Sequence, residues 1–351
     1  MTDAVVPTVR GPVAADELGP TLMHEHLLVD LTPGISPSRR EAAERAGRWN
    51  SPITLQNLDD VRRNYEDYRD NLQLLDSEEA VSEIAFFKEA GGGCIVDATT
   101  PGIGRDPARL RAISEAAGVH IVMGCGFYTA AYHPPENDRH DEEALAREMI
   151  DDLTRGRDGI VAGLIGEIGL SWPAHPNELK ALRAAAAAQK ATGAPISIHP
   201  GRDPKGPMKA LEVVFGAGAD PQRTIIDHVD GRFQRIEEYE EVAKTGCYLE
   251  IDLFGFESSY LPTNPGFDMP NDAARVRVIR ELIDRGFGER ILVSSDMAMK
   301  YHRKRYGGFG YDHILRQVVP LMLRRGIERA QVDDILVNNP ARILARRTPV
   351  V

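Results

Sequence analysis

The sequence predicts an α/β protein closed as a TIM (β/α)8 barrel, with its working groups at the C-terminal ends of the strands. Three observations carry this. Eight short apolar runs recur along the 351 residues, longer helical patterns separate them, and several of those patterns end in glycine just before the next run. The runs span residues 22–31, 94–98, 119–123, 160–165, 195–198, 224–226, 247–251 and 291–293. They lack polar alternation, as parallel strands buried on both faces should.

Helices are predicted over residues 77–90, 107–117, 141–154, 177–192, 233–245, 272–285 and 311–325. The first opens on Ser77, Glu78 and Glu79 and stops at Gly91-Gly92-Gly93, a capped start and a left-handed stop. Gly118, Gly193, Gly246 and Gly286 punctuate others. No Pro-, Ser- or Gly-rich linker divides the chain, so residues 1–351 read as one domain. Neither GxGxxG nor GxxxxGK[ST] occurs, which leaves the two common nucleotide-binding layouts without support. Three long segments, 32–59, 254–270 and 298–310, leave the C-terminal ends of strands, where barrel enzymes build their active-site loops.

A net charge of −11 argues against general binding to nucleic acid or an anionic membrane. No window of eighteen apolar residues and no secretory signal pattern occurs, so a cytoplasmic protein without a membrane span is expected. The odd cysteine count, with Cys94, Cys125 and Cys247 each in an apolar run, suits buried free thiols.

The chemistry-bearing residues fall at the ends of the runs. His24 and His26 flank Glu25 near the end of the first strand, where i and i+2 share a face. Both imidazoles then enter the barrel, and Glu25 points away. His199 ends the fifth run, His228 the sixth and Asp296 the eighth, while Glu167 stands in Gly166-Glu167-Ile168-Gly169 after the fourth. Six such groups at five strand ends read as ligands for two divalent cations. Asp296, Glu167 and a bridging hydroxide offset three of the four positive charges, and a carboxylate between the ions is electrostatically required. His and carboxylate donors suit zinc, with cobalt, manganese, nickel and iron also admissible.

The set MHEHLLVD, VDATTPGIGRDP, GLIGEIGLS, ISIHP, IDHVD and VSSDM resembles the phosphotriesterase family of the amidohydrolase superfamily, over nearly the whole chain. The resemblance implies that His24, His26 and Asp296 hold a buried α metal, that His199 and His228 hold a more exposed β metal, and that a carboxylate from strand 4 bridges them. No lysine occurs between Asp158 and Asn177, so Glu167 takes the place of the carboxylated lysine of the best-known members. This places the chain in the phosphotriesterase-related branch that carries GEIG. That branch implies a small-molecule hydrolase whose bridging hydroxide attacks a carboxylic ester, lactone or N-acyl amide; the alternative is a phosphoesterase. The resemblance alone implies a homodimer.

Asp296 is expected both to bind metal and to move the proton, and Tyr128, in GCGFY, to face the β metal and the leaving group. Lys300 and Arg303, in a basic segment after strand 8, are expected to bind an anionic part of the substrate. A single-metal deaminase would show HxxE after strand 5, whereas this chain reads His199-Pro200-Gly201-Arg202. A non-catalytic binding protein would have lost ligands, and all six are present.

Overall fold

The computed structural model of the protein describes residues 4–347. Eight parallel strands lie side by side in chain order: β1 (Thr21–Glu25), β2 (Cys94–Asp97), β3 (His120–Cys125), β4 (Leu164–Gly169), β5 (Ile196–His199), β6 (Thr224–Ile226), β7 (Tyr248–Ile251) and β8 (Ile291–Val293). The seam between β8 and β1 is drawn together at its C-terminal end, where the Asp296 amide donates to the His24 carbonyl at 3.2 Å. The barrel is the predicted one.

Strand sequences look continuously apolar because alternate residues serve different cores. Ile95, Ile121, Ile196, Leu249 and Ile291 face outward to the helices, with Ile84, Phe87, Leu110 and Leu182 among their cluster. Met23, Val96, Val122, Leu164, Ile225, Tyr248 and Leu292 form a separate inner cluster. Val6 belongs to that inner cluster. It comes from an N-terminal hairpin, Ala4–Thr8 with Gly11–Ala14, which also pairs with Arg346–Arg347. The hairpin closes the end of the barrel opposite the site.

Seven helices follow the strands: α1 (Ser77–Glu89), α2 (Pro107–Ala117), α3 (Glu142–Thr154), α4 (Pro176–Thr192), α5 (Gly206–Gly216), α6 (Ile236–Ala243) and α7 (Asp272–Asp284). An eighth begins with a wide turn at Ile314–Val318 and continues as Val319–Arg324. Asp76, Asp106, Asp141 and Asn271 cap helix starts with their side chains, while Gly118 and Gly193 end helices at φ +64° and +70°. Helix α5 was not predicted. Its Gly206-Pro207 start reads as a turn, although proline is well suited to a first helical turn.

One strand is displaced from its predicted place. The run at 160–165 leads into β4, which begins only at Leu164 and runs through Glu167 to Gly169. Ala162 instead donates its amide to the Asp152 carbonyl at 2.9 Å, and Gly163 lets the chain pass Pro7, whose carbonyl would lie 2.8 Å from an added Cβ. The cysteines are buried free thiols, as predicted. No helix among the described residues is long and apolar enough to cross a membrane.

Candidate metal centre

His24 and His26 are fully buried near the end of β1. His26 Nδ1 lies 2.9 Å from Thr99 Oγ1, which leaves Nε2 for the barrel mouth. His24 Nε2 has no hydrogen-bond partner. Around these two nitrogens stand Glu167 Oε1, at 3.6 Å from His24 and 3.4 Å from His26, and Asp296 Oδ1, at 3.9 and 3.4 Å. Metal–ligand bonds near 2.0–2.1 Å put tetrahedral neighbours about 3.4 Å apart, so His24, His26 and Asp296 can close around one ion with Glu167 Oε1 beside both imidazoles.

The other oxygen of the same carboxylate serves a second cluster. Glu167 Oε2 is 3.2 Å from His199 Nδ1 and 3.6 Å from His228 Nε2. Oε2 and His199 Nδ1 are buried with no hydrogen-bond partner. One carboxylate thus splits its oxygens between two pairs of imidazoles, the geometry of a bridging ligand. Burial alone would raise its pKa, but the charge of His24 and the close approach of the His199 and His228 imidazoles hold it well below the usual range. A cradle of unpartnered, inward-facing donors around an ionised carboxylate fits a pair of divalent cations.

The backbone is bent to present two of these groups. His228 and Asp296 lie at φ +56° and +45°, two of only three such non-glycine residues among the described ones. A left-handed residue outside glycine costs roughly 1 kcal/mol or more, and such positions concentrate at functional sites. Glu25 helps hold the second of them. It does not point to solvent: its carboxylate accepts from Ser294 Oγ at 2.8 Å and from the Ser295 and Met297 amides at 2.9 Å. Those contacts clamp the β8 turn on both sides of Asp296. Burial raises the Glu25 pKa to about 7.

A tier of acids lies beneath the imidazoles. Asp252 accepts from the His228 amide at 3.2 Å and from its Nδ1 at 2.9 Å, which fixes the tautomer that frees Nε2. Asp252 is seated in turn by Asp230, whose carboxylate takes the Asp252 and Leu253 amides at 3.3 Å and pairs with buried Arg275 at 2.6 Å. No sequence motif marks Asp252 as part of the site; its place at the end of an apolar strand is the available signal. Asp252→Asn is expected to weaken metal retention about 10–100-fold, as outer contacts of metal sites do. Titration with a competing chelator measures it.

A profile of the Phosphotriesterase family matches residues 4–344. The chain belongs to the phosphotriesterase family. An N-acetyltaurine hydrolase of Rattus norvegicus is 42% identical over 340 residues, 95% of this chain and 96% of its own. The crystal structure of a resiniferatoxin-binding protein from Rhodobacter sphaeroides matches with a TM-score of 0.91 at 36% identity, over 97% of this chain and 94% of that one. A lactonase from Listeria monocytogenes matches at 0.76 and 25% identity, over 97% and 98%. The protein is a hydrolase of this family.

In this phosphotriesterase-family hydrolase five of the six metal-ligand candidates, all but the fully buried His24, line one cavity with Tyr128, Tyr132, Tyr65, Leu253, Phe256 and Leu261. Tyr128 stands edge-on to His199, with ring centroids 5.2 Å apart. Burial raises its pKa well above the usual value, so its hydroxyl stays protonated. Gly169 admits the Tyr128 loop: an added Cβ would lie 2.6 Å from the Tyr128 carbonyl carbon. His133 Nε2 donates to the Tyr128 carbonyl at 2.6 Å and steadies that loop.

Lys300 and Arg303 do not line the cavity, which corrects the sequence expectation. Lys300 Nζ pairs with Asp70 at 2.5 Å. Arg303 is wholly buried, with Nη1 2.7 Å from Glu79 and Nη2 donating to the Leu27 carbonyl at 2.8 Å. Of the basic segment only His302 reaches the cavity, and burial lowers its pKa to about 4. Arg303→Met is therefore expected to destabilise the fold by about 3 kcal/mol by removing the buried guanidinium from Glu79 and the Leu27 carbonyl, while KM for anionic substrates stays unchanged. Thermal unfolding and steady-state kinetics on one preparation check both halves.

Proposed function

We propose that the protein hydrolyses the amide bond of small N-acyl amines at two divalent cations, zinc in the first instance, held by His24, His26, Glu167, His199, His228 and Asp296. The observation that carries the reading is the division of the Glu167 oxygens between two imidazole pairs. The choice of amide over lactone or phosphoester is supported by the rat relative named for N-acetyltaurine hydrolysis, matched over nearly the full length of both chains.

Bound there, the cations would supply Lewis-acid polarisation of the acyl oxygen and a water acidified toward neutral pH. The chain's own residues do the rest. Glu167 neutralises charge between the two clusters and sets their spacing. Asp296 has the more exposed of the two carboxylates, at 23% against 3% for Glu167, so it can reach the water and the leaving group. It takes the proton from water as oxygen bonds to the acyl carbon, then passes it to nitrogen as the C–N bond breaks. The Tyr128 hydroxyl donates to the substrate beside His199, and Leu253, Phe256 and Leu261 keep bulk water from the acyl group. Water is consumed, and a carboxylic acid and an amine leave.

The test is the metal content of the purified protein together with its turnover of N-acyl amines, lactones, aryl esters and aryl phosphotriesters. About two ions per chain and the highest kcat/KM on N-acyl amines is the expected result. A best rate on phosphotriesters or lactones would overturn the amide reading.

A further inference from the structure

The ligand candidates make only part of the cavity wall. Two arginines complete it: Arg202, after β5, and Arg232, after β6. Arg232 is 4% exposed, so its guanidinium is a charge held out of water, and such charges are ordinarily paired. Its fixed partners are backbone carbonyls: Nε donates to Gly201, and Nη1 to Gly231 at 3.0 Å. The nearby acids are committed elsewhere, Asp230 to Arg275 and Asp252 to His228. Burial, and next to it the charge of Arg202, lowers the Arg232 pKa to about 10.

Arg202 adds a second positive charge to the same wall. It reaches Glu66 Oε1 only at 3.4 Å, and the other oxygen of Glu66 is held by Arg39 at 2.7 Å. Apart from the metal-ligand candidates Glu167 and Asp296, the cavity thus carries two guanidinium groups against one carboxylate, Glu66, and that carboxylate is shared. Like charges in a recess of low dielectric are unfavourable until an anion joins them. The backbone ties at Nε and Nη1 orient the Arg232 fork in advance on a residue that lines the cavity, an arrangement suited to trigonal oxyanions.

We propose that Arg232 and Arg202 seat the anionic end of the substrate, a sulfonate or carboxylate a short chain away from the scissile bond, and select anionic over neutral N-acyl amines. The proposal rests on the N-acyl amide reading above. It moves anion recognition from the segment after β8 to the segments after β5 and β6.

Three N-acetyl compounds of matched length test it: N-acetyltaurine, N-acetyl-β-alanine and N-propylacetamide. The wild-type protein should favour at least one of the anions over the neutral amide by about 100-fold or more in kcat/KM, the scale of a lost charged hydrogen-bond pair. The better of the two names the oxyanion. In Arg232→Gln the ratio of anionic to neutral kcat/KM should collapse toward one, chiefly through KM, with metal content retained. Arg232→Lys keeps the charge without the fork and should recover only part of the ratio. Equal turnover of all three compounds by the wild type, or an unchanged ratio in Arg232→Gln, overturns the seat. Should Arg232→Gln fail to fold, ethanesulfonate and propionate must still inhibit the wild type competitively where propanol does not. If lactones or esters prove to be the substrates, the amide reading falls, and the same inhibitors against that activity decide the seat separately.

Discussion

Glu167→Gln is expected to lower kcat by more than the roughly 100-fold that outer contacts of a metal site carry, and to cut bound metal to one ion or fewer per chain. Glutamine preserves the shape but removes the carboxylate that lies within 3.6 Å of all four imidazoles, His24/His26 at 3.6 and 3.4 Å and His199/His228 at 3.2 and 3.6 Å. Its amide nitrogen would also turn a donor toward one cluster, where a cation needs an acceptor. The metal-free fold should hardly notice, because the variant leaves no charged carboxylate stranded in a buried site. The two effects separate in one experiment. Metal-free Tm should agree between variant and wild type within a few degrees, whereas added zinc should raise the wild-type Tm far more, since binding stabilises with the logarithm of free ligand over its Kd. Full zinc stabilisation and two bound ions in the variant would remove Glu167 from the bridge.

Much of the barrel could be read from the chain because its strands obey one local rule. Ile95 and Val96, or Leu249 and Tyr248, are neighbours that face different cores, so hydrophobicity persists through each strand instead of alternating. The rule failed where tertiary contacts override composition. Ile160, Val161 and Ala162 are as strand-like as any triplet here, yet Ile160 bonds to Arg157 in the preceding loop and Ala162 to Asp152 in the preceding helix, and β4 forms from the Gly- and Glu-containing stretch beyond. Helix α5 was lost to a Gly-Pro start that reads equally as a turn.

The site divides in the same way. His24, His26, Glu167, His199, His228 and Asp296 were legible because strand ends of a barrel converge on one mouth, so position along the chain already implies proximity. Positive charge carries no such guarantee. Lys300 and Arg303 cluster in sequence, but their neutralising partners, Asp70 and Glu79, lie 230 and 224 residues away. Arg232 has the opposite history: a single arginine a few residues beyond His228, with no local emphasis, left without a carboxylate partner by the fold. Whether a charge is spent on structure or left for a ligand depends on pairings that span the chain.

Asp296→Asn is expected to lower kcat on unactivated N-acyl amines by about 100- to 10,000-fold, the range carried by a positioned general acid–base group, with most of the metal retained. Asparagine keeps a carbonyl oxygen beside His26 Nε2, where Asp296 Oδ1 now stands at 3.4 Å. It also tolerates the φ of +45° at this position better than most non-glycine substitutes. The Glu25 clamp on Ser294, Ser295 and Met297 does not involve the changed side chain and should preserve the turn. What asparagine cannot do is take a proton and give it back. An alkylamine must leave protonated, whereas a nitrophenolate leaves as a stable anion without help. A proton role therefore predicts a steep loss on N-acetyl alkylamines and a much smaller one on a nitrophenyl ester of the same acid. A plain metal ligand predicts comparable losses on both, together with weaker metal binding. Measuring the two substrates on one metal-replete preparation separates the roles, and equal losses would return Asp296 to ligation alone.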